Sequence, residues 1–460
     1  RMFDCPQNLR EEEMFEVPEW AANKVVYQIF PSRFAATEPV DKELWYKAPI
    51  TPMDDLHGNL RGIIEHMDDI QNLGIDVLYM TPIFQSDSCH KYDTTDYYQI
   101  DPSFGTTEDL KELVQKAHER GMKVVLDAVY NHTGREFFAF ADILENGEKS
   151  KYRDWYFIDG FPLKSEWGEI PNFKCFGYYG GMPKLNLKNP EVEKYITDVA
   201  CYWIKECDID GWRLDVGDEI SHFFWKNFRK AVKAVKKDML IIGEIWHYAG
   251  DFLEGDEWDT VMNYPFYLNL IDLLADEKIT VSQFVQNLGY LKGRLHKNCY
   301  PLMWNLIDSH DTARFLHLCN DNKKKQHLAA AFQLLLPGMP MIYYGDEYAM
   351  PGANDPDCRR GMYWEEEYQD KEMYEWYKRL IQVRKSHACI VEGELAGSVT
   401  EDEEGTVVLI RKNGEETIAM IFNCSSSAKK FNEYTQKYNL LTENTFDGNV
   451  EGFDAAVIVL

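Results

Sequence analysis

Eight short apolar runs, rich in β-branched and aromatic residues, recur along the chain with amphipathic segments between them, and this repetition constrains the fold more than any other feature. They are VVYQIF (25–30), DVLYMTPIF (76–84), KVVLDAV (123–129), DGWRLDV (210–216), MLIIGEIW (239–246), TVMNYPF (260–266), PLMWNLID (301–308) and PMIYYGDE (340–347). Between the second and third lies TTEDLKELVQKAHERG (106–121), with a Thr/Asp-rich start, apolar residues at helical spacing and a glycine stop. Strand, helix, strand with no hairpin turn is a βαβ unit. Eight such runs predict an α/β fold, a TIM (β/α)8 barrel closed by parallel strands.

Two departures from regular spacing divide the chain. Roughly eighty residues separate the third run from the fourth, far more than an ordinary connection. That stretch is rich in aromatics and glycine over 133–183, which predicts a small inserted domain after the third strand, overhanging the barrel mouth. After the eighth run, EMYEWYKRLIQVRKSH (372–387) has the pattern of a closing amphipathic helix. The period then changes to two in TVVLIRK (406–412) and ETIAMIFN (416–423), joined through Asn413-Gly414, a hairpin signal. The expected organisation is an N-terminal extension (1–24), a barrel (25–385) interrupted by the inserted domain, and a C-terminal antiparallel β-sandwich domain (386–460).

Composition narrows the function. The 77 acidic against 49 basic residues give a formal charge of −28, which repels nucleic acid and anionic membranes and suits a neutral substrate. No run approaches the roughly 18 apolar residues that span a bilayer, and residues 1–30 carry acids where a secretory signal needs an apolar stretch, so the chain reads as soluble and cytoplasmic. Ten cysteines without CxxC pairs indicate reduced thiols rather than a zinc site or disulfide framework. Aromatics make up 14% of the chain, enough to supply stacking faces for sugars as well as a barrel core.

The active site of a parallel barrel lies at the C-terminal ends of its strands. There the runs carry Asp127, Asn131 and His132; Arg213 and Asp215; Glu244 and Trp246; and Asp308, His310 and Asp311. Such groups are costly to bury unless paired. Alternation places Arg213 and Asp215 on one face of their strand and Trp212, Leu214 and Val216 on the other, so the charged pair points into the barrel mouth while the apolar set meets the helices. An arginine beside Asp215 favours the ionised form a nucleophile requires. Glu244 ends the adjacent strand, and two carboxyl groups on separate strands can flank one glycosidic bond. Clustered Asp, Glu and His also suit a metal, but Arg213 competes with a metal for Asp215, and no HExxH or comparable ligand spacing is present.

DAVYNH (127–132), GWRLDVGDE (211–219), GEIW (243–246) and NLIDSHD (305–311) resemble, in order, the four conserved regions of the α-amylase superfamily, glycoside hydrolase family 13. MPKLN (182–186) is similar to the fifth region of its neopullulanase, cyclomaltodextrinase and maltogenic amylase subfamily. The resemblance implies a retaining hydrolase of α-1,4-linked glucans: Asp215 as nucleophile, Glu244 as general acid/base, Asp311 as the carboxylate stabilising the distorted sugar, and Arg213, partnered by Asp127, orienting the nucleophile. It further implies sugar contacts from His90, Tyr92, His132 and His310, a leaving-group contact from Trp246, and closure of the pocket by Asp355 and Arg359. Glu219 stands where this subfamily has glutamate and many α-amylases have histidine.

Gly217-Asp218 replaces the subfamily's usual Ala-Asn, which leaves the leaving-group subsites open. Most members carry an N-terminal β-module that builds a dimer; this chain begins just before the barrel, either because the module was removed or because this is a short form, so the dimer cannot be carried over and the oligomeric state stays open. No cofactor is required, although many α-amylases hold a structural calcium near an asparagine like Asn131. The expected substrates are malto-oligosaccharides, with cyclodextrins and pullulan, and transglycosylation as a side reaction. The alternatives are an α-1,6-acting glucosidase or glucosyltransferase on the same scaffold, and a non-catalytic glucan-binding or transporter-associated relative.

Overall fold

The structure, a computed structural model, describes residues 15–166 and 168–460. Of the expected N-terminal extension, residues 1–14 lie outside the described residues. All eight runs form strands: Val26–Ile29, Val77–Met80, Lys123–Ala128, Gly211–Leu214, Leu240–Gly243, Thr260–Asn263, Trp304–Leu306 and Met339–Tyr343. They pair in parallel in chain order, and the first also pairs with the eighth, which closes the barrel. Alternation sorts the side chains. Val26, Val77, Tyr79, Val125, Leu240, Ile242, Met262, Trp304, Leu306, Met339 and Met341 fill the lumen, and the opposite parity meets the surrounding helices in a second, larger core. Each such residue fully buried is worth about 1.5–3 kcal/mol. One step toward the C-terminal end, the inward parity turns polar: Gln28, Asp127 and Arg213 sit on top of this apolar plug, each 1% exposed or less.

The helix expected over 106–121 runs from Thr107 to Glu119, started by a reciprocal capping box between Thr106 and Asp109. The closing helix spans Lys371–Ser386 behind Asp370. The hairpin pairs Thr406–Asn413 with Glu416–Asn423, and Gly414 takes the positive φ of 60° that the turn needs. These two strands belong to a six-stranded antiparallel sheet, and a two-stranded sheet (Lys429–Lys430 with Asn449–Val450) contributes to the small core between the two.

The segment 133–183 has little regular structure. It contains one nine-residue helix, Phe138–Asn146, and isolated bridges within it (Ile158 with Phe173, Cys175 with Pro183), and its two flanks are paired by a bridge between His132 and Lys184. The pattern did not predict the antiparallel pair Phe84–Ser86 and Thr94–Ile100, which follows the second strand and carries the His90–Asp93 loop. Among the described residues, no helix is long and apolar enough to cross a membrane. The nine cysteines among them are all free thiols.

Candidate active site

Arg213 is the hub of the barrel mouth. Its Nη1 donates to both oxygens of Asp127 (3.0 and 3.1 Å) and to Oδ1 of Asp215 at 2.8 Å. Its Nη2 lies 3.0 Å from Glu244 Oε2, an ion contact without hydrogen-bond alignment. Strand register creates this arrangement, since Asp127 and Arg213 are direct neighbours across the third and fourth strands. Glu244 follows directly on the fifth strand, and its N–H donates to the Leu214 carbonyl.

The sequence implied an ionised Asp215. Burial together with Glu244, Asp127 and Asp311 pushes its carboxyl well above the usual carboxylate range, against the pull of Arg213. The reason is division of charge: one guanidinium serves three carboxyl groups in a dry site. Asp127 is raised to about 6, also by burial, with Arg213 and the hydroxyls of Tyr79 and Tyr92 opposing.

The turn after Asp215 is strained. Val216 has φ 46° and ψ 44°, a left-handed conformation that a β-branched residue rarely adopts. The strain aims the Val216 N–H at Glu244 Oε2, 2.9 Å away, while Trp246 Nε1 donates to Oε1 at 3.0 Å. Trp246 stacks on Tyr264 at 4.0 Å and leaves 42% of itself exposed at the mouth. The open question at Gly217 has a packing answer, because a Cβ there would lie 2.8 Å from the Trp258 ring.

Across the pocket, Asp311 is 3.4 Å from Arg359 Nη2 and 3.3 Å from His310 Nε2. Arg359 donates from Nε to the His310 carbonyl and pairs with Asp355 at 2.8 Å, so the two residues expected to close the pocket do sit together beside Asp311. Tyr92 lies parallel to His310, its hydroxyl 2.6 Å from His310 Nε2 and 2.9 Å from Asp127 Oδ2. His90 accepts the Tyr92 N–H on Nδ1, and burial lowers its basicity below that of an ordinary imidazole. His132 is 1% exposed, with Nε2 on the Tyr92 carbonyl and its ring against Phe176; burial lowers it to about 4. The Nε2 contact ties His132 to the loop that carries Tyr92.

The residues around Asn131 do not fit a calcium ion. Lys184 Nζ donates to Asn131 Oδ1 and to the Glu219 carbonyl (2.9 Å) and lies 3.5 Å from Glu219 Oε2. An ammonium already occupies the centre of the oxygen set, and a divalent cation beside it would be repelled. Glu219 Oε2 also accepts from Asn131 Nδ2 at 3.1 Å. Among the other residues of the site, Gln28 and Tyr79 have strand parity as their only sequence signal, and Lys184 has none beyond its place inside MPKLN.

A closed (β/α)8 barrel whose mouth gathers three strand-end carboxyl groups around one buried arginine, with aromatic faces beside them, defines an enzyme of the glycoside hydrolase class. The catalytic-domain model of alpha amylase matches residues 28–393. The chain is 46% identical over 428 residues to a cyclomaltodextrinase of Geobacillus thermopakistaniensis (strain MAS1), covering 92% of this chain and 72% of that one. It is 43% identical over 421 residues to neopullulanase 2 of Thermoactinomyces vulgaris, covering 90% and 72%. A solved cyclomaltodextrinase structure superposes with a TM-score of 0.91 at 38% identity, over 96% of this chain and 79% of that chain. The chain belongs to the α-amylase family, glycoside hydrolase family 13, in its cyclomaltodextrinase, neopullulanase and maltogenic amylase group.

Proposed function

We propose that this hydrolase cleaves α-1,4-glucosidic bonds in malto-oligosaccharides, cyclodextrins and pullulan with retention of configuration, and transfers glycosyl units to sugar acceptors as a side reaction. Asp215 attacks the anomeric carbon and displaces the leaving oxygen, which takes a proton from Glu244. Glu244 then removes a proton from water, which attacks the glycosyl–Asp215 ester and releases the α-anomer. Asp311 stabilises the positive charge that develops on the sugar ring, and Arg213 orients Asp215. His90, Tyr92 and His310 line the sugar bound at the reacting bond, with Tyr92 as stacking face and His132 behind it. Trp246 meets the leaving-group side, and Asp355 with Arg359 closes the far end.

The observation that carries this reading is Arg213 holding Asp215 and Glu244 from two nitrogens of one guanidinium. That grip supports a carboxyl separation of roughly 5 Å, the retaining arrangement, rather than the wider gap that admits a water between them. We also propose that the enzyme works in the reducing cytoplasm, consistent with its unpaired thiols, and needs no resident metal, since Lys184 supplies the cation at Asn131.

The test is incubation with maltotriose, pullulan, isomaltose and β-cyclodextrin, following products and anomeric form by NMR. Cleavage of the first, second and fourth with α-anomers appearing first is expected. Cleavage of isomaltose alone, or β-anomers first, overturns the assignment.

A further inference from the structure

Gln28 stands on the first strand, fully buried beneath the pocket, and the proposed mechanism gives it no task. Its Nε2 is 2.7 Å from Nδ1 of His310. What it does there follows from counting hydrogens outward from Asp127. That carboxylate accepts from Arg213 Nη1 and from the Tyr79 hydroxyl at 2.7 Å and, while ionised, has no hydrogen to give. The Tyr92 hydroxyl, 2.9 Å from Asp127 Oδ2, therefore directs its single hydrogen at Asp127. Its oxygen is left to accept from His310 Nε2 at 2.6 Å, so Nε2 carries the hydrogen. A neutral imidazole has one N–H, which leaves Nδ1 bare and makes the Gln28 amide the donor. The reversed amide would set an oxygen against a bare ring nitrogen, two acceptors at 2.7 Å. The adopted orientation leaves Gln28 Oε1 buried without a partner, so the contact to His310 decides how the amide points.

We propose that Gln28 is a positioning residue that fixes His310 as the neutral Nε2–H tautomer, and through it holds Tyr92 on Asp127 and the imidazole beside Asp311. The amide also opposes the imidazolium, because a second hydrogen on Nδ1 would face the Gln28 N–H. The other groups around His310 act in a known sense. Burial, Arg359, Arg213 and His90 disfavour its charge, and Glu244 favours it; Asp311, 3.3 Å from Nε2, is the nearest carboxylate. Phe30, tilted with its ring centre 6.1 Å away, and Tyr92, parallel with its hydroxyl at the Nε2 edge, are the aromatic neighbours of the ring. The kinetic consequence rests on the proposed function of this pocket, whereas the hydrogen positions do not.

Neutron crystallography of the deuterium-exchanged full chain reads the tautomer directly. Deuterium on His310 Nε2, none on Nδ1, and an amide deuterium of Gln28 pointing at Nδ1 are expected. Deuterium on Nδ1 overturns the proposal. The kinetic arm compares Q28L and Q28E. Both are expected to lose at least tenfold in kcat/KM. Q28E alone should recover relative to the unsubstituted enzyme as pH falls, because the new carboxyl, once protonated, can donate to Nδ1 as the amide does. A loss of packing alone would not produce that pH-dependent recovery, and wild-type kinetics in both variants overturn the proposal. Absence of glucan turnover in the unsubstituted protein would defeat the functional reading and leave the neutron result standing.

Discussion

The backbone N–H of Val216 donates to Glu244 Oε2 at 2.9 Å from a left-handed backbone position that valine occupies at a cost. The residue after one proposed catalytic carboxyl thus holds the other, so the two cannot drift apart independently. The strain is worth about 1–2 kcal/mol, and relieving it with glycine is offset in part by the greater freedom glycine gains in the unfolded chain. V216G is therefore expected to shift unfolding free energy by less than about 1 kcal/mol and to keep kcat/KM within a few-fold, since the N–H remains. Denaturant unfolding and steady-state kinetics check both.

Gly217 gives a sharper steric outcome. With Trp258 2.8 Å from the place a Cβ would take, G217A forces the indole or the turn to shift, at a cost of about 1–3 kcal/mol. A lower Tm is expected, with KM for long substrates changing more than kcat, because the turn borders the proposed leaving-group side.

Lys184 makes the metal question measurable. The Tm of the unsubstituted enzyme should be the same in EDTA and in millimolar calcium. K184A leaves Asn131 Oδ1 without its donor and should cost about 1–3 kcal/mol. A Tm of the unsubstituted enzyme that falls in EDTA would contradict the assignment of Lys184 as the cation at Asn131.

Asp127 sets a pH dependence whose sign can be worked out. Its folded value of about 6 lies above the roughly 3.9 of an unfolded aspartate, so the folded state binds this proton more readily than the unfolded one. Acidification from pH 6 toward 4 thus favours folding at this group, while protonation weakens the grip on Arg213 and Tyr92. The expected result is a kcat/KM that falls below about pH 6 with no matching loss of Tm, measured on the same buffers.

The barrel was legible because each strand had to be apolar on both faces, which wrote eight continuous runs into the sequence. The site was legible where polar residues interrupted the ends of those runs, as at Asp127, Asp215, Glu244 and Asp311. What escaped was geometry set by neighbours distant in sequence. Nothing local distinguishes Gln28 from any polar residue in a strand, because its partner is 282 residues away. Lys184 carries no local signal either, because only the His132–Lys184 bridge brings it over Asn131. The 84–100 hairpin arm was hidden by its irregular register, which breaks the alternation that marks a strand. The charge balance around Asp215 likewise depended on how many carboxyl groups share Arg213, which one strand cannot reveal.

The central claim is that Asp215 is the nucleophile and Glu244 its acid/base partner. E244Q with α-maltosyl fluoride tests it most directly: fluoride leaves without protonation, so glycosylation proceeds, while hydrolysis lacks its base. Intact-mass and peptide mass spectrometry should then find a maltosyl ester on Asp215. A label on another residue, or full turnover of maltotriose by E244Q, would contradict it.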